Sequence, residues 1–374
     1  MEEYVVAALV DSSERCLSNL LSNRRNYEER VRLEGLRDHS NPFEIAEEKF
    51  KKLFRLPTHA ALHLVNTLDD PLLLEGHIPK HIKILTALHF YAHGSYQAAV
   101  GQDNFLAMSQ PAVSRCLGIV SNIIVEQLTP QYIKFPTTQT EKEYAKTEFL
   151  EKYDMPNTLG AVDGTHIAIT KPSLNHPTAP GNIFYNRKGF YSINCQIICS
   201  AKGKIIGFNP NFPGSTHDAA VWRASEIHQF LRNEFVCGQS DQWLLGDKGY
   251  PLQPWLMTPV LAPTSPAEAA YNNCHIRARN MVEMVNGWLK NKFRCLHRHR
   301  CLHYQPQKAA KIILSCCTLY NMFTDALFDT DENDNNNLDN TDNLSMEEEY
   351  VERDFLAEAR HIRQVLINTH FNQN

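Results

Sequence analysis

The sequence predicts a mixed α/β sheet flanked by helices, preceded by an all-helical domain and followed by an acidic tail. Three observations carry this reading. From residue 158 onward, the strand-like runs "TLGAVDGTHIAIT", "FYSINCQIICSA" and "KIIGFNPNF" follow one another, the last two joined by Lys202-Gly203 as a tight turn. Before residue 130, apolar residues recur at spacings of three and four, the helical period. Residues 325–354 hold twelve acids and one base, Arg353, in a polar stretch nearly free of aromatics. Such a composition buries too little surface to order itself.

The elements follow in order. Residues 1–130 form the helical domain: "NPFEIAEEKFKKLFRLPTHAALHLVNTL" is broken at Pro57, and "PKHIKILTALHFYAHG" is closed by Gly94. Next comes a short helix, a turn containing Gly101, and a helix from about Ser109, which suits an N-cap, with Pro111 in the first turn. This is a helix-turn-helix pattern whose second helix presents Gln110, Ser114 and Arg115. Two packed helices without nucleic acid contact would give the same pattern. Residues 131–157 read as a connector with one amphipathic helix, and residues 158–325 as the sheet domain. Within the latter, "THDAAVWRASEIHQFLRNEF" reads as one helix with Thr216 as cap, and "QWLLGDKGYP" as a short buried strand ending at Asp247. "HIRARNMVEMVNGWLKNKF" reads as a long helix and "KAAKIILSCCTLYNMFTDAL" as an apolar closing helix. Residues 326–374 are the acidic tail, mostly disordered, with helical periodicity returning in "YVERDFLAEARHIRQVLINTHF".

The formal net charge of −5 conceals an asymmetry: the acidic stretch carries −11, so the remainder carries +6. The tail is then either a solvated appendage or a competitor for a basic face. No apolar run reaches the roughly 18 residues of a membrane span, and the start "MEEYVVAALVDSSERC" lacks the basic region of a signal peptide. Ten cysteines without framework spacing read as reduced thiols of an intracellular protein. Cys195 and Cys199 share a strand face and are expected in the core.

Two aspartates sit oddly. Asp163 and Asp247 end or interrupt apolar runs, and each is followed closely by a glycine, Gly164 and Gly249. Glycine lets the backbone leave a strand sharply and lets a ligand approach. If the two strands are neighbours, both carboxylates project from one end of the sheet, where α/β folds bind ligands. Glu283 lies on a helix whose face also carries Arg279 and Lys290, and Asp218 lies early in the helix after the hairpin. Like charges about 4 Å apart cost roughly 4 kcal/mol at an effective dielectric of 20. A divalent cation, Mg²⁺ or Mn²⁺, reverses that sign and meets phosphate well. Taken singly, each acid reads equally as a cap or a surface residue.

These motifs together carry a resemblance. "VDGTH", "NRKGFYSINCQIICSAKGKI", "PGSTHDAAVW", "LLGDKGYP" and "RNMVEMVNGWLK", in this order, resemble the PIF/Harbinger superfamily of DDE transposases. The resemblance spans roughly residues 70–325 and is densest over 158–295. It implies an RNase H-like fold and a metal-dependent DNA endonuclease or transposase with two metals. Asp163, Asp247 and Glu283 would be its catalytic acids, with thirty-five residues between the second and third, and Asp218 a further metal ligand. Arg279, Glu283 and Lys290 match a related Arg-Glu-Lys signature, whose preceding tyrosine position holds Ile276. The resemblance also implies DNA as substrate, a Myb/SANT-like protein partner, homo-oligomers, and residence in the nucleus, with the cytoplasm as a second compartment. A domesticated, non-catalytic DNA-binding protein acting with the same partner is the alternative.

"KNKFRCLHRHRCLHYQPQK" is strongly basic and follows the Glu283 helix. Lys290, Lys292, Arg294, Arg298 and Arg300, with Arg187 and Lys188 from "NRKG", are the candidate phosphate contacts. Trp288 and Phe293 read as base-stacking or core residues, the core being favoured. Cys295, His297, His299, Cys301 and His303 alternate at every second residue, which is not the paired spacing of a structural zinc site.

Overall fold

In the computed structural model, the described residues are 18–37 apart from 20 and 26, then 41–94, 96–172, 180–324 and 353–372. The expectations for the first seventeen residues and for disorder across 325–352 fall outside them. The chain divides into two compact units, residues 1–90 with 95–120, and residues 91–94 with 121–374.

The first unit is helical. α1 (Glu47–Phe54) ends at Arg55, which turns into the left-handed region, and α2 (Thr58–Thr67) starts behind Pro57, whose fixed φ suits a helix entry. α3 (Lys80–His93), the single turn α4 (Gln97–Gly101) and α5 (Gln110–Ile123) follow. Phe50, Phe54, Leu56, Leu64, Leu68 and Leu73 are buried, with the Phe50 and Phe54 rings 4.6 Å apart.

The second unit is an α/β sheet of RNase H-like type. α6 (Gln139–Tyr153) opens with a capping box between Thr138 and Glu141 and packs against β1, burying Ala145, Phe149 and Tyr153. The stretch 131–157, read from the sequence as a connector, thus contributes a helix to this unit. β1 (Thr158–Ala168), β2 (Ser192–Cys199) and β3 (Ile205–Pro213) form an antiparallel meander, with Gly203 at φ +80° in the β2–β3 turn. α7 (Asp218–Arg223) and α8 (Glu226–Val236) follow. β4 (Trp243–Leu245) joins parallel to β1, β5 (Leu256–Met257) parallel to β4, and the sheet order is β3-β2-β1-β4-β5. α9 (Pro266–Lys292) packs on β1, α10 (Pro306–Met322) on β3, and α11 (Arg353–Leu366) continues into a turn that meets α9.

Side chains cover both sheet edges. Asn321 of α10 donates to and accepts from the backbone of Ile205 on β3, at 2.6 and 2.9 Å. Beyond β5, the Thr258 carbonyl accepts from Tyr271 and from Arg363 of α11, each at 3.0 Å. The core on the far face of β1 holds Val162, Ile198, Ile206, Leu244, Trp222 and Trp255, with Phe355 of α11 packed against it. Trp222 Nε1 donates to Gln253 Oε1 at 2.8 Å, which satisfies the buried indole.

Three local expectations change. The helix expected after the hairpin is two helices, because Ser225 caps α8 by accepting from His228 N and so starts a new helix. Thr216 is not the cap of α7; that position falls to His217, without a side-chain bond. α9 begins at Pro266, nine residues before the expected start, on a capping box between Ser265 and Glu268. Cys195 and Cys199 are buried, as the strand periodicity indicated.

Candidate active site

The β1–β4 register places the two aspartates. Ala161 pairs with Leu245, and Asp163 and Asp247 each follow two residues later. Side chains repeat every second residue along a strand, so both carboxylates leave the sheet at one level. Asp163 does not end its strand: β1 runs on to Ala168, with Asp163 paired to Ile197 of β2. Asp247 lies just beyond β4, its Oδ1 accepting from Gly249 N at 2.9 Å.

α9 supplies the other wall. Arg279, Glu283, Asn286 and Lys290 recur at spacings of four, three and four, which aligns them on one helix face. Arg279 donates to Glu283 through Nη2, while its Nη1 lies 3.8 Å from Asp163 Oδ1. Asn286 Nδ2 donates to Asp163 Oδ2 at 3.1 Å, and Lys290 Nζ donates to Thr165 Oγ1 at 2.7 Å. The helix thus touches β1 at three points around Asp163.

Asp218 approaches from the opposite face, and Gly164 makes this feasible. A Cβ on Gly164 would lie 2.2 Å from Asp218 Oδ1. Gly164 stays inside the strand, paired with Gln196. The expectation that this glycine turns the chain away is therefore replaced: its missing side chain makes room for a carboxylate. Asn194 Nδ2 holds that carboxylate at 2.7 Å and also donates to the Thr216 carbonyl at 2.8 Å.

The electrostatics follow from burial. Desolvation pushes the Asp163 carboxyl up to about 7; Arg279 opposes this, and the charges of Asp218, Asp247 and Glu283 add to it. Asp247 is raised for the same first reason, against Arg279 and the Gly249 N–H. Burial lowers Lys290. Asp163, Asp247 and Glu283 thus share one guanidinium while Asp218 adds its charge from the other face, and the Asn286 Oδ1 and Asn194 Oδ1 are buried without a hydrogen-bond partner. Hard oxygen donors with uncompensated charge are the set that suits a divalent cation. The side chains that could hold one are Asp163, Asp247, Glu283 and Asp218. As placed, Arg279 stands between Asp163 and Glu283, and among the described residues no three His, Cys, Asp or Glu side chains are set to ligate a metal.

Comparison with known proteins identifies the family. The family described as DDE superfamily endonuclease matches residues 162–321, which contain all four acids. The human protein named putative nuclease HARBI1 is 33% identical over 336 residues, covering 88% of this chain and 92% of the relative. The chain belongs to the Harbinger-derived, HARBI1-like family of DDE nucleases. The Xenopus laevis protein of the same name is 34% identical over 297 residues, covering 79% of this chain and 81% of the relative. Antagonist of like heterochromatin protein 1 from Arabidopsis thaliana is 25% identical over 256 residues, covering 65% and 62%. No solved structure matches the chain.

Other candidates of this HARBI1-like chain are distributed unevenly. Arg187 and Lys188 are exposed in the turn before β2, and the charge of Lys188 reaches Lys290. Arg294, Arg298 and Arg300 are exposed. Lys292, expected among the phosphate contacts, is instead buried, because it lies on the inward face of α9 next to Phe293. Phe293 is itself buried, in keeping with a core role. Gln110 and Arg115 are exposed and Ser114 half-buried, all on α5 of the first unit. Cys295 is buried with its sulfur 3.8 Å from that of Cys316. Sequence reasoning missed Asn286, Thr165 and Asn194. Asn286 was legible as the residue three beyond Glu283 on one helix face; the two strand residues carry no local signal.

No helix among the described residues is long and apolar enough to cross a membrane.

Proposed function

We propose that the chain is a Mg²⁺- or Mn²⁺-dependent DNA endonuclease or transposase, cleaving phosphodiester bonds with two metals. The supporting observation is the convergence of Asp163, Asp247 and Glu283 from β1, the end of β4 and α9 onto one buried, anionic point. Asp163 and Asp247 would be shared ligands, and Glu283 and Asp218 would complete the set. Bound there, the cations would activate a water or 3′-hydroxyl for in-line attack and stabilise the leaving oxygen. Arg279 holds the Glu283 carboxylate in place and sits within 3.8 Å of Asp163. Lys290 ties α9 to Thr165, two residues beyond Asp163, and so fixes the helix against the reacting strand. Arg187, Lys188, Arg294, Arg298 and Arg300 give an exposed cationic rim for the phosphate backbone. Gln110, Ser114 and Arg115 would add duplex contacts from α5.

A second reading, a non-catalytic DNA-binding protein, draws support from Arg279, whose guanidinium already partners both Asp163 and Glu283. Under either reading the chain acts in the nucleus, as a homo-oligomer and with a Myb/SANT-like partner. Labelled duplex incubated with Mn²⁺ or EDTA separates the two. The nuclease reading expects Mn²⁺-dependent cleavage lost in Asp163→Ala and Glu283→Gln while DNA binding persists. Binding that ignores EDTA, without cleavage in the unmodified chain, establishes the second reading instead.

A further inference from the structure

Beyond the acids, β1 ends in a feature that phosphodiester cleavage does not require. From Asp163 to Ala168 is five residues, about 17 Å at 3.3 Å per residue. There Ile169 N donates to the Tyr191 carbonyl at 2.9 Å, and Tyr191 bridges to Tyr185. The two phenol rings meet edge to face with centroids 5.1 Å apart, and Lys171 Nζ lies 5.9 Å from the Tyr191 centroid. Tyr185 is 50% exposed. Next to it, Arg298 lies 4.5 Å above Phe190, and the exposed Lys188 follows in the turn.

Half of Tyr185 is open to solvent, so part of its ring is available for a further contact. Its ring partner is Tyr191, and cations lie by the neighbouring rings, Lys171 by Tyr191 and Arg298 by Phe190. That combination is what a stacked nucleobase with its phosphate needs: every base has a π-face, and the flanking cations meet the backbone. A paired base inside a duplex hides that face, so the ring selects unpaired nucleotides.

We infer that Tyr185, backed by Tyr191, with Lys171 beside that second ring and Lys188 in the following turn, is a stacking seat for an unpaired base several nucleotides from the cleaved phosphate. The inference rests on the nuclease reading for its register, and it names the substrate as DNA that is frayed or single-stranded next to the cleavage point. The ring makes the contact through its face, so the phenol oxygen is dispensable and the aromatic system is not.

The test is fluorescence anisotropy in EDTA, with a labelled duplex bearing a short single-stranded thymidine arm and a blunt duplex of equal length. The unmodified chain should prefer the forked DNA. Tyr185→Leu keeps an apolar side chain against Tyr191 but has no π-face. It should melt like the unmodified chain and lose roughly 5- to 150-fold in affinity for the forked DNA only, while Tyr185→Phe retains the preference. Equal loss on blunt duplex, or no loss with Tyr185→Leu, overturns the seat. Fork preference with no Mn²⁺-dependent cleavage leaves the seat standing and removes the nuclease reading. Cleavage without fork preference does the reverse.

Discussion

Replacing Asp163 by Asn in the metal-free protein should stabilise it, and the size of the effect should depend on pH. Burial and three neighbouring acids raise the folded-state pKa from the ordinary 3.8 to about 7. The folded state therefore binds the proton more tightly than the unfolded chain. Stability from this group is fully present below pH 3.8 and is lost as pH rises through about 7. At 1.36 kcal/mol per unit, the difference reaches at most about 4 kcal/mol above that pH. Asn keeps the shape and still accepts from Asn286 Nδ2, which donates to Asp163 Oδ2 at 3.1 Å. For a unit of this size, about 2–4 °C accompany each kcal/mol, so the variant should melt several degrees higher at pH 8 in EDTA. The measurement is thermal unfolding from pH 4.5 to 8.5 for both proteins, read as the difference between them. That difference should grow with pH and level off past 7; Asp247, also raised, leaves both proteins a shared slope in the same direction. A constant difference across the range, or a variant less stable at pH 8, would refute the electrostatic account of the site.

Other substitutions probe separate parts. Gly164→Ala inserts a Cβ where the Asp218 carboxylate lies, and should cost about 1–3 kcal/mol by overpacking with at least a tenfold loss of Mn²⁺-dependent cleavage; unchanged melting and activity would show that the close approach is not needed. Phe355→Ala removes a ring whose centroid lies 5.3 Å from Trp255 and 5.9 Å from Phe235. It should lower stability by about 1–3 kcal/mol without changing cleavage per folded molecule, as denaturant titration and a cleavage assay would report. Arg298→Ala should reduce the slope of log affinity against log salt by about 1 for duplex DNA; an unchanged slope would remove Arg298 from the phosphate contacts.

Much of the architecture was legible because its signals are local. Pro57 and Gly94 punctuate helices, Lys202-Gly203 turns a hairpin, and strand-like apolar runs mark β1 and β2. The capping box of Ser265 and Glu268 is equally local, yet periodicity places the start of α9 too late because its first turns, "PAEAAYNNC", are weakly apolar. β5 is two residues long, too short for any periodicity to register. Among site residues, Asp163 and Asp247 stood out as charges in apolar runs, and Glu283 by the spacing of Arg279 and Lys290 around it. The pairing of Gly164 with Asp218 could not be read off, since it joins a strand to a helix fifty-four residues later through absent volume. The burial of Lys292 had the same origin: a basic run looks uniform along the chain, and only the helix rotation decides which cations face inward.

The central claim is that the acids gathered around Asp163 hold a divalent cation. Titration of Mn²⁺ into the metal-free protein, followed by the paramagnetic resonance of the unbound ion, measures this without DNA or turnover. One or two ions should bind per chain, and Asp163→Asn and Glu283→Gln should each weaken that binding at least tenfold. Retention of all the Mn²⁺ signal in solution at millimolar ion, or equal uptake by the variants, would contradict the claim.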